Sequence, residues 1–197
     1  MMKMQGITTG ICFNKTDAAD QKEIDQMIRD YQNSGARSYL TSTIQGDRLE
    51  ELHQGLMNRT SVLAGPSGVG KSSVLNAIFP DAKMETGEIS EKIKRGKHTT
   101  RHSELFSLGG NTYVMDTPGF TSLGLPDMEK EELREYYMEF EAYRDSCRFL
   151  GCAHINEPDC ALKEAVEQGA VSKLRYENYK ILFQELKDRQ KYTRRQR

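Results

Sequence analysis

The chain of 197 residues has almost no net charge, no long apolar run, no internal repeat and few cysteines, and each shortage removes a class of protein. Lysine and arginine number 28 against 29 aspartates and glutamates, a formal charge of −1. Binding of nucleic acid through overall charge is thereby excluded, and any such contact must use a local patch. No stretch is long and apolar enough to cross a bilayer. The opening Met1-Met2-Lys3-Met4-Gln5-Gly6 lacks the apolar core of a signal peptide, so the expectation is a cytoplasmic protein with no membrane partner. Apolar residues make up 37%, enough for a core but not a generous one, which fits one medium domain or one domain plus a small module. Cys12 stands alone, whereas Cys147, Cys152 and Cys160 crowd together around His154. In a reducing compartment such a cluster favours a metal over disulfides.

What is present centres on Gly65-Pro66-Ser67-Gly68-Val69-Gly70-Lys71-Ser72, which fits the phosphate-loop pattern G-x-x-x-x-G-K-[ST] at every fixed position. Ser61 to Ala64 reads as a buried strand before it. Ser73 to Phe79 has helical spacing after it and is stopped by Pro80. The glycines let backbone N–H groups converge on phosphate oxygens, and the helix adds its positive end. Lys71 is expected on the β- and γ-phosphates and Ser72 on Mg²⁺. By itself this loop promises a nucleoside triphosphate and does not name the base.

Ahead of it, a strand-like run over Gly6 to Phe13 leads into Asn14-Lys15-Thr16-Asp17. Asn-Lys-x-Asp at a strand end is the guanine-reading pattern. The Asp17 carboxylate can accept hydrogen bonds from the guanine ring N–H and exocyclic amine, a pair of donors adenine does not present. Asn14 can bond the base and brace the phosphate loop, and the Lys15 stem can cover the base plane. Ser42 and Thr43, in a small polar turn after a strand over Ser38 to Leu40, are candidates to place backbone N–H groups against the base oxygen, although any Ser/Thr turn has the same appearance. Helices are expected over Asp20 to Ser34, with Ile24, Met27, Ile28 and Tyr31 turned to the core, and over Asp47 to Met57.

After Pro80 comes a basic stretch with Lys92, Lys94, Arg95, Lys97 and Arg101, beside His98 and His102. A solvated loop is one reading. The other is a switch whose Thr99 and Thr100 close on Mg²⁺ and the γ-phosphate. Ser103 to Leu108 and Asn111 to Met115 are strand-like and joined by Gly109-Gly110, a hairpin signal. The second run ends in Asp116-Thr117-Pro118-Gly119, where Asp116 would serve Mg²⁺ and the Gly119 N–H would sense the γ-phosphate. Ordinary GTPases carry the phosphate loop first and Asn-Lys-x-Asp later. Here Asn14 precedes Gly65, so the sequence reads as a circularly permuted GTPase.

Further on, Met128 to Tyr143 reads as one helix with Leu133, Tyr136, Tyr137 and Phe140 on one face. Cys147, Cys152, His154 and Cys160, spaced C-x₄-C-x-H-x₅-C, suit a closed tetrahedral zinc site with a structural role. Two helices separated by Gly169 fill Ala161 to Gln190. The end is basic, with Lys187, Arg189, Lys191, Arg194, Arg195 and Arg197, and reads either as a solvated tail or as a contact for RNA.

Taken with the permuted order, the phosphate loop, Gly96-Lys97-His98-Thr99-Thr100-Arg101-His102, Asp116-Thr117-Pro118-Gly119-Phe120 and the cysteine–histidine cluster, the chain resembles the ribosome small-subunit-dependent GTPase A family over nearly its whole length. The resemblance implies an α/β P-loop NTPase with permuted GTPase topology over residues 1–124 and a helical zinc module over 125–197. It implies GTP hydrolysis late in maturation of the small ribosomal subunit, stimulation by that subunit, contact of the zinc module with its rRNA, Mg²⁺ with GTP, and one structural Zn²⁺. A monomer is expected. The GTP contacts would come from Asn14 to Asp17, from Ser42 and Thr43, and from Gly65 to Ser73. Phe120 stands where other GTPases have a water-orienting glutamine, so hydrolysis is expected to be slow alone, with His98 the candidate to position water beside Lys71. Members of that family also carry an N-terminal OB-fold, then a strand and helix ahead of the guanine motif. Only thirteen residues precede Asn14 here, and the expectation is a truncated member. Two alternatives stay open: a nucleotide-gated RNA-binding adaptor with negligible hydrolysis, and an ATPase in which Asn14 to Asp17 match by accident.

Overall fold

Short runs with apolar and β-branched residues give five strands among the described residues. β1 (Gly10–Asn14) pairs with β2 (Arg37–Thr41), and α1 (Gln21–Tyr31) lies between them in sequence. β3 (Thr60–Leu63), β4 (Glu104–Ser107) and β5 (Tyr113–Asp116) form a second sheet in the order β3-β5-β4. The computed structural model describes residues 2, 5–80, 104–116 and 124–195. β3 runs parallel to β5 and β4 antiparallel to it, with Leu63 opposite Asp116 in the first pair and Leu105 opposite Met115 in the second. Parallel pairing brings the carboxyl ends of β3 and β5 together, where ligands of α/β sheets bind. The strand expected over Gly6 to Phe13 begins only at Gly10. The N–H groups of Gln5 and Ile7 both close on Met2 O, and Gly6 turns at φ 66°, so the chain before β1 is folded back instead of extended.

Contacts divide the chain into two units, one of Cys12–Asp20 with Tyr39–Leu123, the other of Met1–Ile11, Gln21–Ser38 and Gly124–Arg197. In the first, α2 (Leu49–Leu56) and α3 (Lys71–Ile78) bury Leu52, Leu56, Val74 and Leu75 with Tyr39, Phe79 and Val114. Phe79 also meets the His53 ring edge-on at 5.0 Å. Gly109 and Gly110 turn the β4–β5 hairpin at φ 98° and 54°, and the buried Thr112 hydroxyl accepts from the Asn58 N–H at 2.9 Å, fixing the entry to β3.

In the second unit, α4 (Ala161–Glu167) and α5 (Lys173–Arg195) enclose a core of Leu133, Phe140, Cys152, Cys160, Leu162, Val171, Tyr176, Tyr179, Phe183 and Leu186. The single helix expected over Met128 to Tyr143 is two 3₁₀ segments, Lys130–Tyr136 and Met138–Tyr143, broken where Tyr137 is extended at φ −102°, ψ 97°. Reciprocal bonds between Glu129 and Glu132 start the first segment. The break stacks Tyr137 on Phe140 at 4.9 Å and sets its edge on Tyr179 at 5.2 Å. Aromatic burial in the core wins over an unbroken helical ladder there. The α1 face expected in the core is only half covered. No residue of α1 is buried and Met27 is 39% exposed. Its attachment is mainly polar: Ser172 Oγ donates to Asp30 at 2.6 Å, and the Arg175 guanidinium lies 5.4 Å from the Tyr31 ring centre while pairing with the buried Glu139. Among the described residues no helix is long and apolar enough to cross a membrane.

Candidate functional site

Gly65 to Gly70 leave β3 and turn into α3 through two left-handed glycines, Gly68 at φ 79° and Gly70 at φ 91°. Gly70 is required twice over. Its φ disfavours other residues, and a Cβ there would stand 2.4 Å from Asn14 Nδ2. The helix opens with Val74 N–H on Gly70 O, which leaves the N–H groups of the loop and first turn directed outward. Lys71 Nζ donates to Gly65 O at 2.9 Å and Pro66 O at 3.0 Å, so its charge sits over the loop. Ser72 is half-buried on the first turn, and Ser67 and Ser73 are exposed.

The segment Asn14-Lys15-Thr16-Asp17, expected from its pattern to read guanine, is fastened to this loop. Asn14 Nδ2 donates to Val69 O at 3.0 Å and Lys15 Nζ to Gly68 O at 2.8 Å. Lys15 holds φ 66°, a left-handed turn into the 3₁₀ segment Thr16–Ala18 that redirects the chain after β1. The Asp17 carboxylate accepts the Ser42 hydroxyl at 2.5 Å, and the Thr16 hydroxyl donates to Thr41 O at 3.1 Å. Ser42 is fully buried and Thr43 beside it half-buried. The Ser42 side chain orients Asp17, while its backbone N–H reaches Asp47 O at 3.4 Å.

Asp116 closes β5 directly beside Leu63, two residues before the loop begins. His98, Thr99, Thr100 and Gly119 lie outside the described residues, as do Phe120, the basic stretch 92–102 and the side chain of Asp116.

A second cluster forms in the other unit. The ligand atoms of Cys147, Cys152, His154 and Cys160 all lie within 4.8 Å of one another. Cys147 Sγ is 3.8 Å from Cys160 Sγ and 3.6 Å from His154 Nδ1, and His154 Nδ1 is 3.3 Å from Cys160 Sγ. A tetrahedral zinc with bonds of about 2.3 Å to sulfur and about 2.0 Å to nitrogen spaces its ligand atoms roughly 3.5–3.8 Å apart. Cys147, His154 and Cys160 match that spacing, and Cys152 stands within 4.8 Å of each, so the group could hold such an ion. Burial, reinforced by the neighbouring sulfurs, pushes the Cys152 thiol up to about 12. Burial also raises Cys160, and burial with the Arg134 charge holds His154 below the usual imidazole range. A cationic metal is what lets such thiols ionise.

The sequence pattern of the RsgA GTPase family matches residues 1–126. The chain belongs to that family. A relative from Agathobacter rectalis, named small ribosomal subunit biogenesis GTPase RsgA, is 52% identical over 192 residues, covering 98% of this chain and 64% of the relative. The crystal structure of YjeQ from Thermotoga maritima superposes with a TM-score of 0.73 at 38% identity, over 94% of this chain and 62% of that one. YloQ, solved as a circularly permuted GTPase, gives 0.69 at 38% identity, over 93% and 58%. The chain thus spans somewhat under two thirds of the length of the RsgA relatives it matches, and its fold is that of the permuted GTPases.

Reading the sequence of this RsgA-family chain missed one buried residue beside the candidate nucleotide site. Thr41, the last residue of β2, is fully buried and gives its hydroxyl proton to Asn14 Oδ1 at 3.1 Å. With that proton committed, the Cys12 thiol donates to Thr41 Oγ1 at 3.3 Å. Asn14 is therefore held with its oxygen toward Thr41 and its NH₂ toward the phosphate loop. The signal was present, since Thr41 opens the Thr-Ser-Thr turn, but a threonine at a strand end looks the same whatever it touches. Thr41→Val should weaken GTP binding about tenfold by freeing the Asn14 amide, while Thr41→Ser stays near wild type. Displacement of a fluorescent guanine nucleotide measures both.

Proposed function

We propose that this chain carries the GTP-hydrolysing part of a factor in late maturation of the small ribosomal subunit. It acts in the cytoplasm, is slow alone and is stimulated by that subunit. The observation that carries the reading is the seating of Asn14 and Lys15 on Val69 and Gly68, which supports a guanine-reading role for this segment beside the phosphate loop. The name borne by the Agathobacter relative supports the partner. The GTPase domain is assigned to residues 1–124 and the zinc module, which would face rRNA, to 125–197.

In the proposed reaction GTP and water give GDP and phosphate. Backbone N–H groups of Gly65 to Ser73 and the positive end of α3 hold the β- and γ-phosphates, and Lys71 exchanges the carbonyls of Gly65 and Pro66 for phosphate oxygens. Asp17, oriented by Ser42, takes the guanine ring N–H and amine. Ser72 and Asp116 would hold Mg²⁺, which neutralises charge on the phosphates when bound, and Thr99, Thr100 and Gly119 would close over the γ-phosphate. His98 is assigned to the attacking water. His98→Ala should remove at least about tenfold of the subunit-stimulated rate and leave GTP affinity unchanged, as a single-turnover assay would read; unchanged stimulated turnover rejects that role. On the zinc module, Phe149 and the fully exposed Leu150 project beside Arg148 from the loop between Cys147 and Cys152, a surface suited to stack on an unpaired base. Arg189, by contrast, is tied to Leu125 O and Glu185. Competition of unlabelled GTP and ATP against a fluorescent guanine nucleotide tests the base assignment, and equal displacement by both would favour an ATPase.

A further inference from the structure

The segment Cys152 to Glu157 is held through its backbone by three side chains, one from the first 3₁₀ segment and two from α5. Arg134 Nη1 donates to Cys152 O at 2.9 Å, the Tyr179 hydroxyl to Ala153 O at 2.7 Å, and the Tyr176 hydroxyl to His154 O at 2.8 Å. Opposite these three successive carbonyls, one carboxylate gathers the N–H groups. Glu157 Oε1 accepts from Ala153 at 2.8 Å, and Oε2 from Ile155 at 3.0 Å and Asn156 at 3.1 Å. At the centre sits His154, 1% exposed and at φ 59°, a conformation uncommon for residues other than glycine. Converging N–H groups beside a left-handed residue form the kind of hollow that takes an anion, and here the chain supplies its own.

We propose that Glu157 is a positioning residue for the metal site. By closing Ala153 to Asn156 into one turn, its carboxylate keeps His154 left-handed with Nδ1 directed at Cys147 Sγ and Cys160 Sγ. A carboxylate suits the task because it only accepts. An amide in its place would turn an NH₂ toward one of the N–H groups, and an alkyl chain would leave all three without an acceptor. Tyr176 acts from the other side of the same residue. The inference rests on Cys147, Cys152, His154 and Cys160 forming a zinc site, and groups that orient ligands in this way typically change metal affinity by about 10–100-fold.

The test strips the full chain of metal under reducing conditions, titrates it with Co²⁺ while recording the visible spectrum, and measures Zn²⁺ affinity by competition with a chromogenic chelator. Wild type should bind one ion with the absorption of a tetrahedral thiolate site. Glu157→Gln should bind Zn²⁺ about 10–100-fold more weakly, with a shifted Co²⁺ spectrum and an unchanged far-ultraviolet circular dichroism spectrum. Equal affinity and an identical Co²⁺ spectrum would overturn the role of Glu157. Wild type that binds no metal would overturn the zinc reading, and the inference with it, which is a distinct result. Should Glu157→Gln fail to fold, Glu157→Asp carries the decision, since it keeps the charge but draws the carboxylate back by one methylene from the three N–H groups; undiminished affinity and an unchanged spectrum in that variant overturn the proposal.

Discussion

Asp17→Asn should lower affinity for GTP by about 10⁴-fold and transfer preference to xanthosine triphosphate. Guanine offers its ring N–H and exocyclic amine side by side, and a carboxylate accepts both. Asparagine keeps one oxygen and presents an NH₂ where the second acceptor was. Xanthine carries an oxygen in place of the amine and so complements that change. The geometry makes the substitution a clean one. Asp17 stands on the 3₁₀ turn that follows Lys15, with one oxygen fixed by the buried Ser42 hydroxyl at 2.5 Å. Asparagine can accept that same bond, so the fold is kept and only recognition changes. Displacement of a fluorescent nucleotide by GTP and by xanthosine triphosphate measures the switch. Undiminished GTP binding would mean that the base is read elsewhere.

Loss of the metal should have the largest effect on stability. Cys152, His154 and Cys160 are not appended to a finished core. They lie in it, packed with Phe140, Leu162 and Tyr179, and the His154 ring meets Phe140 edge-on at 5.9 Å. Structural zinc contributes about 10–16 kcal/mol of apparent binding free energy in small modules, which is as large as the whole stability of most domains. Cys160→Ala, or strong chelation of the wild type, should therefore abolish bound zinc and lower the melting temperature by more than ~10 °C. The chain has no tryptophan, so the near-ultraviolet circular dichroism comes largely from tyrosines, and Tyr137, Tyr143, Tyr176 and Tyr179 all belong to this core. That signal should collapse with the metal. A metal-free chain that keeps both its melting point and its tyrosine signal would make the four residues incidental.

Chemistry was more legible in the sequence than architecture. Glycines and a lysine at fixed spacing, an aspartate three residues after an asparagine, and three cysteines around a histidine each point to an expected role through residue type, because few side chains can do those jobs. The hairpin was legible from Gly109 and Gly110 between two β-branched and apolar runs. What escaped notice depends on contacts between residues far apart in the chain. Thr41 orients Asn14 from 27 positions away, and Tyr176 caps a carbonyl 22 positions before it. A threonine or tyrosine has many possible partners, so its identity does not name one. Glu157 lies close to the ligands in sequence but reads as an ordinary surface acid until the left-handed turn at His154 gathers three N–H groups around it. The break at Tyr137 was hidden because residues 133, 136, 137 and 140 suit an α-helical face equally well, and only the packing of Tyr137 on Phe140 and Tyr179 selects the extended residue. The α1 face was overread for a related reason. Helical periodicity reports which residues share a side, not what covers that side, and Met27 is left 39% exposed.

The central claim is a GTP site whose chemistry is completed by the small ribosomal subunit. Single-turnover hydrolysis of GTP by the 197-residue chain, with and without purified small subunits, tests it most directly. The expected result is a rate no faster than about 10⁻² s⁻¹ alone, raised at least about tenfold by small subunits and not by large ones. A negligible rate that small subunits leave unchanged, with GTP still bound, would contradict the claim and make the chain a nucleotide-gated adaptor.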